Sequence, residues 1–279
     1  MIVRNVLGRS STQARASWFS LFGMTWSVAW LLLPLVFLTS FTWAQTSLPP
    51  RQSGYELMSP ATRAMQDDEA LNPATFWILD GQTLWNESAG KKNVACAQCH
   101  GDAATTMKGV SASFPKMVNG KLLNLQGQIN MCRQTKQESS AFQLESKPLL
   151  SLETYIGHVS KGMPITVERT AENAEPLEAG RLLFEQRLGQ LNLSCAQCHA
   201  ERAGLKLGGN VIPEAHPTGY PIYRLEWQTV GSLQRRLRNC MTGVRAEPYA
   251  LGSDELVQLE LFLMWRARGM PIETPGVRP

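Results

Sequence analysis

Six cysteines and four histidines carry the chemistry this chain could do. Four of the cysteines stand in two identical stretches, Cys-Ala-Gln-Cys-His, at 96–100 and 195–199. C-x-x-C-H is the c-type haem attachment pattern. On a helix, residues three and four apart share a face. Two thiols can therefore add to the two vinyl groups of one porphyrin while the next imidazole meets the iron. The expectation is two covalently bound haem c groups, attached at Cys96, Cys99, Cys195 and Cys198, with His100 and His199 as axial ligands. A zinc or redox Cys-x-x-Cys pair would leave the following histidine unexplained twice.

The elements that must position these groups occur in duplicate. "DGQTLWNESAGKKNVACAQCHGD" lies over "AGRLLFEQRLGQLNLSCAQCHAE", with Gly81 on Gly180, Leu84 on Leu183, Trp85 on Phe184 and Cys96 on Cys195. Each copy continues to a further cysteine, Cys132 or Cys240, then an apolar periodic segment, then Gly-Met-Pro-Ile at 162–165 or 269–272. In "LLSLETYIGHVSKG" and "DELVQLELFLMWRARG" apolar residues recur at spacings of three and four, which is the helix period; Ser253 or Asp254 can cap the second. Strand signals are weak throughout. The fold expected is all-α: two tandem cytochrome c-like domains related by an internal repeat, with long loops wrapping haem. The first would span 45–170 and the second 174–279, joined by the polar stretch from Glu168 to Pro176.

The sixth iron position is open to several residues. Methionine is the usual partner in small electron-transfer cytochromes, and Met107, Met117, Met131, Met163, Met241, Met264 and Met270 are candidates. Most methionines in a helical protein fill core space. His158 and His216 are the remaining histidines. Cys132 and Cys240 are left over from the haem motifs. They could pair in one disulfide across the halves. The repeat argues against this: each holds the same place in its own half, and equivalent places face equivalent things, here the haem. A thiolate is a strong donor to ferric iron and lowers its potential.

Cys240 stands among arginines, in "RRLRNCMTGVRAEPY". Nearby cations favour thiolate and offer an anion a landing place. If the segment is helical, Arg236 shares the face of Cys240 four residues on, whereas Arg235 and Arg238 point elsewhere. Cys132 has Arg133 and Lys136 beside it but no such run before it. The second half therefore reads as the chemical one, the first as an electron relay or a structural remnant.

The formal charge of +4 is concentrated at the start, where Arg4, Arg9 and Arg15 precede an apolar run and no acidic residue appears before Glu56. The body is nearly neutral, which gives no support for nucleic-acid binding. Residues 1–44 read as a secretory signal cleaved after Ala44, or as an uncleaved anchor. Either exports the body.

The pairing of "INMCRQTKQ" and its Gly-Met-Pro-Ile with "RRLRNCMTGVRAEPYALGSDELVQLELFLMWRARGMPI" resembles the A subunit of the Sox thiosulfate-oxidising system, the dihaem partner in SoxAX cytochromes. The resemblance runs from about Met58 to Thr274. It implies a monohaem SoxX partner and a carrier, SoxYZ, to whose cysteine thiosulfate is conjugated oxidatively, an L-cysteine S-thiosulfotransferase activity. It also implies axial pairs His100/Cys132 and His199/Cys240, with Cys240 the catalytic centre, carried as a persulfide, and Arg236 on the substrate. The rival readings are a dihaem electron carrier without chemistry of its own and a dihaem peroxidase with one open iron.

Overall fold

The apolar faces of four helices meet in two equivalent pairs. The computed structural model describes residues 51–279; the expected signal segment, residues 1–44, lies outside the described residues. The helices are α1 (Pro60–Asp67), α2 (Thr75–Asn86), α3 (Cys96–His100), α4 (Ala103–Thr106), α5 (Leu125–Cys132), α6 (Lys147–Val159), α7 (Ala174–Glu185), α8 (Cys195–His199), α9 (Leu233–Gly243) and α10 (Asp254–Arg266). In the first half α2 packs on α6, and in the second α7 packs on α10. Ile78, Trp85, Leu152, Tyr155 and Ile156 fill the first core. Leu177, Phe184, Leu259, Phe262 and Leu263 fill the second.

Both crossings depend on a glycine. A Cβ at Gly81 would lie 2.2 Å from the Ser151 carbonyl oxygen, and one at Gly180 would lie 2.0 Å from that of Gln258. Ser151 and Gln258 hold the same place in the repeat, so the duplicated glycine records a backbone approach that no side chain allows. Gly180→Ala is expected to cost about 2–3 kcal/mol, the range for an overpacked contact with no flexible neighbour to yield. Urea unfolding of the variant would measure it.

Local capping fixes the helices that carry the cysteines. Asn124 Oδ1 accepts from the Gly127 N–H at the start of α5, and Ser232 Oγ from the Arg235 N–H at the start of α9. Ser253 caps α10 in the same way, with Asp254 and Glu255 in its first turn and Arg266 in its last, as the helix dipole favours. The glutamine of each haem motif reaches back to the chain: Gln98 Oε1 accepts from Ala95 N–H at 2.6 Å and Gln197 Oε1 from Ser194 N–H at 2.9 Å.

The all-α expectation needs correction, because short strands join the helices. β1 (Lys116–Val118) pairs with β2 (Lys121–Leu123), and β3 (Lys206–Leu207) with β4 (Asn210–Val211). β5 (Ile222–Arg224) lies between antiparallel β6 (Thr229–Gly231) and parallel β7 (Gly276–Arg278). At two or three residues each, none is long enough to display a period of two. The β1–β2 turn does carry a local signal: Asn119 and Gly120 both have positive φ, 51° and 76°, the backbone of a two-residue Asn-Gly hairpin turn.

The two Gly-Met-Pro-Ile segments pair with each other. Gly162 N–H donates to the Ile272 carbonyl and Gly269 N–H to that of Ile165, both at 2.8 Å. Ile165 N–H and Ile272 N–H donate to the Met270 and Met163 carbonyls, both at 2.9 Å. Equivalent residues exchange equivalent bonds, as in an isologous contact. Residues 51–72, grouped by sequence with the first half, lie against the end of the second. The guanidinium of Arg51 donates to the Arg266 and Arg268 carbonyls, and Asn72 Nδ2 donates to that of Pro275.

A polar seam lies where the halves meet. Glu153 on α6 and Glu260 on α10 occupy matching repeat positions. Gln126 Nε2 donates to Glu153 Oε2 at 2.7 Å, and Asn124 Nδ2 to Glu260 Oε2 at 3.1 Å. Burial pushes Glu153 up to about 8 against the opposing Gln126 bond, with Glu260 and Glu145 adding to the rise. Burial likewise pushes Glu260 up to about 7. Carboxyls with folded values above their unfolded ones hold more protons folded than unfolded. Stability is therefore expected to fall as pH rises from about 5 through 8, by at most roughly 6 kcal/mol in all. Urea midpoints across that range should flatten in Glu153→Gln.

Candidate functional site

The first haem motif opens onto an apolar cavity of about 400 Å³. Cys96, Cys99 and His100 line one side, and Cys132 and Gln128, from α5, line the cavity as well. Trp85, Phe114, Val118, Leu125, Ile129, Leu152 and Ile156 supply apolar wall. The Trp85 ring stands 5.7 Å from that of His100, and its Nε1–H donates to the Gly101 carbonyl at 3.0 Å. Gln128 Nε2 donates to Cys132 Sγ at 3.2 Å. A side chain four residues before the distal cysteine thus touches its sulfur.

The second half reproduces this frame with different side chains. Cys240, on α9, lies near enough to Cys195 to act on its ionisation, as Cys132 does on Cys96. Burial, then the charge of Cys240, pushes the Cys195 thiol up to about 11. None of the six cysteines is paired in a disulfide, and each distal one neighbours the motif of its own half. His199 Nδ1 sits 2.7 Å from the Pro213 carbonyl oxygen. Burial holds this imidazole below its ordinary range against that bond, and Arg236 and Arg266 add to the depression. A ring nitrogen tied to a carbonyl leaves Nε2 as the free donor, which is how ligating histidines are oriented.

These donors suit a covalently held porphyrin. Paired cysteines stand on one short helix with a histidine, in the first half a further sulfur lines the same apolar cavity, and in the second the imidazole is held through Nδ1 by a carbonyl. Sequence comparison agrees. The family described as SoxA/TsdA, cytochrome c domain, matches residues 80–165 and 179–272. The chain belongs to this family. Its haem is of the covalently bound c type. It is 34% identical to the L-cysteine S-thiosulfotransferase subunit SoxA of Pseudaminobacter salicylatoxidans, over 81% of this chain and 80% of that one. It is 31% identical to the subunit of the same name from Rhodovulum sulfidophilum, over the same shares. The crystal structure of SoxXA from P. pantotrophus superposes with a TM-score of 0.79 at 29% identity, covering 82% of this chain and 87% of that one.

Against this family frame, the arginines around Cys240 divide by task. Arg235 Cζ lies 4.4 Å over the Trp227 ring, and Arg238 Nη1 donates to the Tyr249 carbonyl. Both brace α9. Arg245 takes a left-handed backbone, φ 58°, in the turn after it, where its carbonyl accepts from the Gln190 N–H. Arg236 acts electrostatically on His199 and Tyr220. Among the other ligand candidates, Met241, Met264 and Met270 are buried in the second core. Met107 lines the first cavity. His158 Nε2 lies 3.8 Å from Glu69, and His216 Nδ1 lies 2.8 Å from the Gln52 carbonyl oxygen.

Two residues missed in the sequence join the second site. Tyr220 is a neutral phenol: burial pushes it up to about 12 against the opposing charge of Arg236. Arg224 is electrostatically linked to Arg236, Tyr220 and Cys240. The signal that could have found them was the repeat itself, extended into the short "FPKMV" and "YPIYR" stretches ahead of each distal cysteine.

Proposed function

We propose that this chain is the catalytic subunit of a periplasmic cytochrome that conjugates thiosulfate to a cysteine of a carrier protein. The carrier thiol and the outer sulfur of thiosulfate form a sulfur–sulfur bond, the thiol proton leaves, and two electrons are given up. Two haem c groups, held by Cys96/Cys99 and Cys195/Cys198, would supply one-electron acceptors when bound. His100 and Cys132 would flank the first iron, and His199 and Cys240 the second.

The observation that carries the reading is the contrast between the halves. Where Gln128 touches Cys132, Arg236 stands at the same place before Cys240. A guanidinium holds sulfonate oxygens through charge-assisted hydrogen bonds, which orients thiosulfate with its outer sulfur toward Cys240. Thiolates attack and exchange at sulfur readily, so a sulfur at residue 240 suits transfer chemistry. The first half, with a neutral glutamine on its distal sulfur, suits an electron relay. The names of the relatives, SoxA subunits and a SoxXA complex, support a SoxX-type monohaem partner and a SoxYZ-type carrier.

The test uses the purified complex with reduced carrier, thiosulfate and an oxidised acceptor cytochrome. The expected result is a carrier cysteine heavier by one thiosulfate, with two electrons appearing per adduct. Haem reduction without adduct would return the chain to a plain electron carrier, and peroxide consumption would favour a peroxidase.

A further inference from the structure

The internal repeat allows one active half to be read against its inactive twin. "FPKMVNGKLLNLQGQINMC" at 114–132 and "YPIYRLEWQTVGSLQRRLRNC" at 220–240 follow one plan: a proline, a strand, a turn, a second strand, a capped helix and the distal cysteine. The strand registers fix the equivalence. Lys116 faces Leu123 and Val118 faces Lys121; Ile222 faces Gly231 and Arg224 faces Thr229. Phe114 therefore corresponds to Tyr220, Val118 to Arg224 and Gln128 to Arg236. All three first-half residues line the cavity shared with Cys132. The same three backbone positions have changed from apolar or neutral to a phenol and two guanidiniums.

We propose that Arg224 is a second substrate-binding cation, which works with Arg236 to hold the anionic end of thiosulfate at Cys240. The proposal rests on the functional reading above and names a residue beyond it. Arg224 is held on β5, the middle strand of its sheet, so it is positioned by backbone pairing on both sides. Its side chain is 13% exposed. Glu226 Oε1 lies 3.2 Å from Nε, yet off the N–H direction, so that buried donor has no aligned acceptor. Trp227 backs the guanidinium, with Cζ 5.3 Å from its ring centre. Arg224 and Arg236 act on one another, and Glu226 is the one carboxylate seen against Arg224, so the pair keeps a net positive charge under partial burial. A dianion entering the site would relieve it. A structural arginine needs only the partners it already has.

The experiment compares the holo complex with Arg224→Val, the residue of the inactive half, and Glu226→Gln. Thiosulfate is titrated against the ferric haem spectrum, and kcat and KM are measured in the conjugation assay. Arg224→Val should weaken thiosulfate binding and raise KM by about 10-fold or more, with kcat changed less, since a charge-assisted bond common to ground and transition states is lost. Glu226→Gln should leave affinity unchanged or tighten it. Arg224 has no substrate role if Arg224→Val titrates like the parent. It is only an ion-pair strut if Glu226→Gln reproduces the loss. Failure of conjugation in the parent complex would sink the functional reading instead, and the thiosulfate titration separates the two.

Discussion

Cys240→Ala is expected to abolish conjugation, by on the order of 10³-fold or more, as removal of a group that meets the reacting atoms does. Both haem attachments should survive, because in the proposed reading the covalent bonds belong to Cys96, Cys99, Cys195 and Cys198. The argument is local. Cys240 stands beside Cys195, its thiol is free, and no other described cysteine is left to serve the second site. Cys132→Ala is the matched control. It should disturb the first iron and slow electron removal while thiosulfate still binds at the second half. A mass spectrum of the carrier cysteine reads the first effect, and the haem content reads the second.

Arg236→Gln is expected to lower kcat/KM for thiosulfate by about 10–100-fold, the worth of a charge-assisted hydrogen bond to a charged ligand. The substitution copies the first half, where Gln128 already donates to Cys132. Helix α9 should therefore tolerate it, and any loss reports charge rather than folding. Arg236→Lys should lie between, since lysine keeps the charge but not the planar fork that grips an oxyanion. The parent's kcat/KM should fall with added salt more steeply than that of Arg236→Gln, because screening acts on the charge the variant lacks.

Much of this site was legible because its residues announce themselves chemically. The C-x-x-C-H motifs, the distal cysteines and Arg236 were read from type and spacing, and the glycine and Gly-Met-Pro-Ile repeats marked the halves. The glycines prove to be helix-crossing points, and the Gly-Met-Pro-Ile segments prove to bind one another, which no spacing along the chain could reveal. The strands were missed because two or three residues cannot show a period. Arg224 and Tyr220 were missed for a related reason. They sit on a different element from Cys240, and only the hairpin register brings them to it. Nothing in the sequence singled out Glu153 and Glu260. Their burial depends on the packing of one half against the other.

The central claim is that the sulfur of Cys240 meets the second iron. Low-temperature electron paramagnetic resonance of the oxidised protein tests it most directly, with intact mass to count haems and sulfur. The account predicts low-spin ferric signals of histidine–thiolate type, one of which disappears in Cys240→Ala while the haem count stays the same. A histidine–methionine spectrum that Cys240→Ala leaves untouched, or a mass showing Cys132 and Cys240 joined, would contradict it.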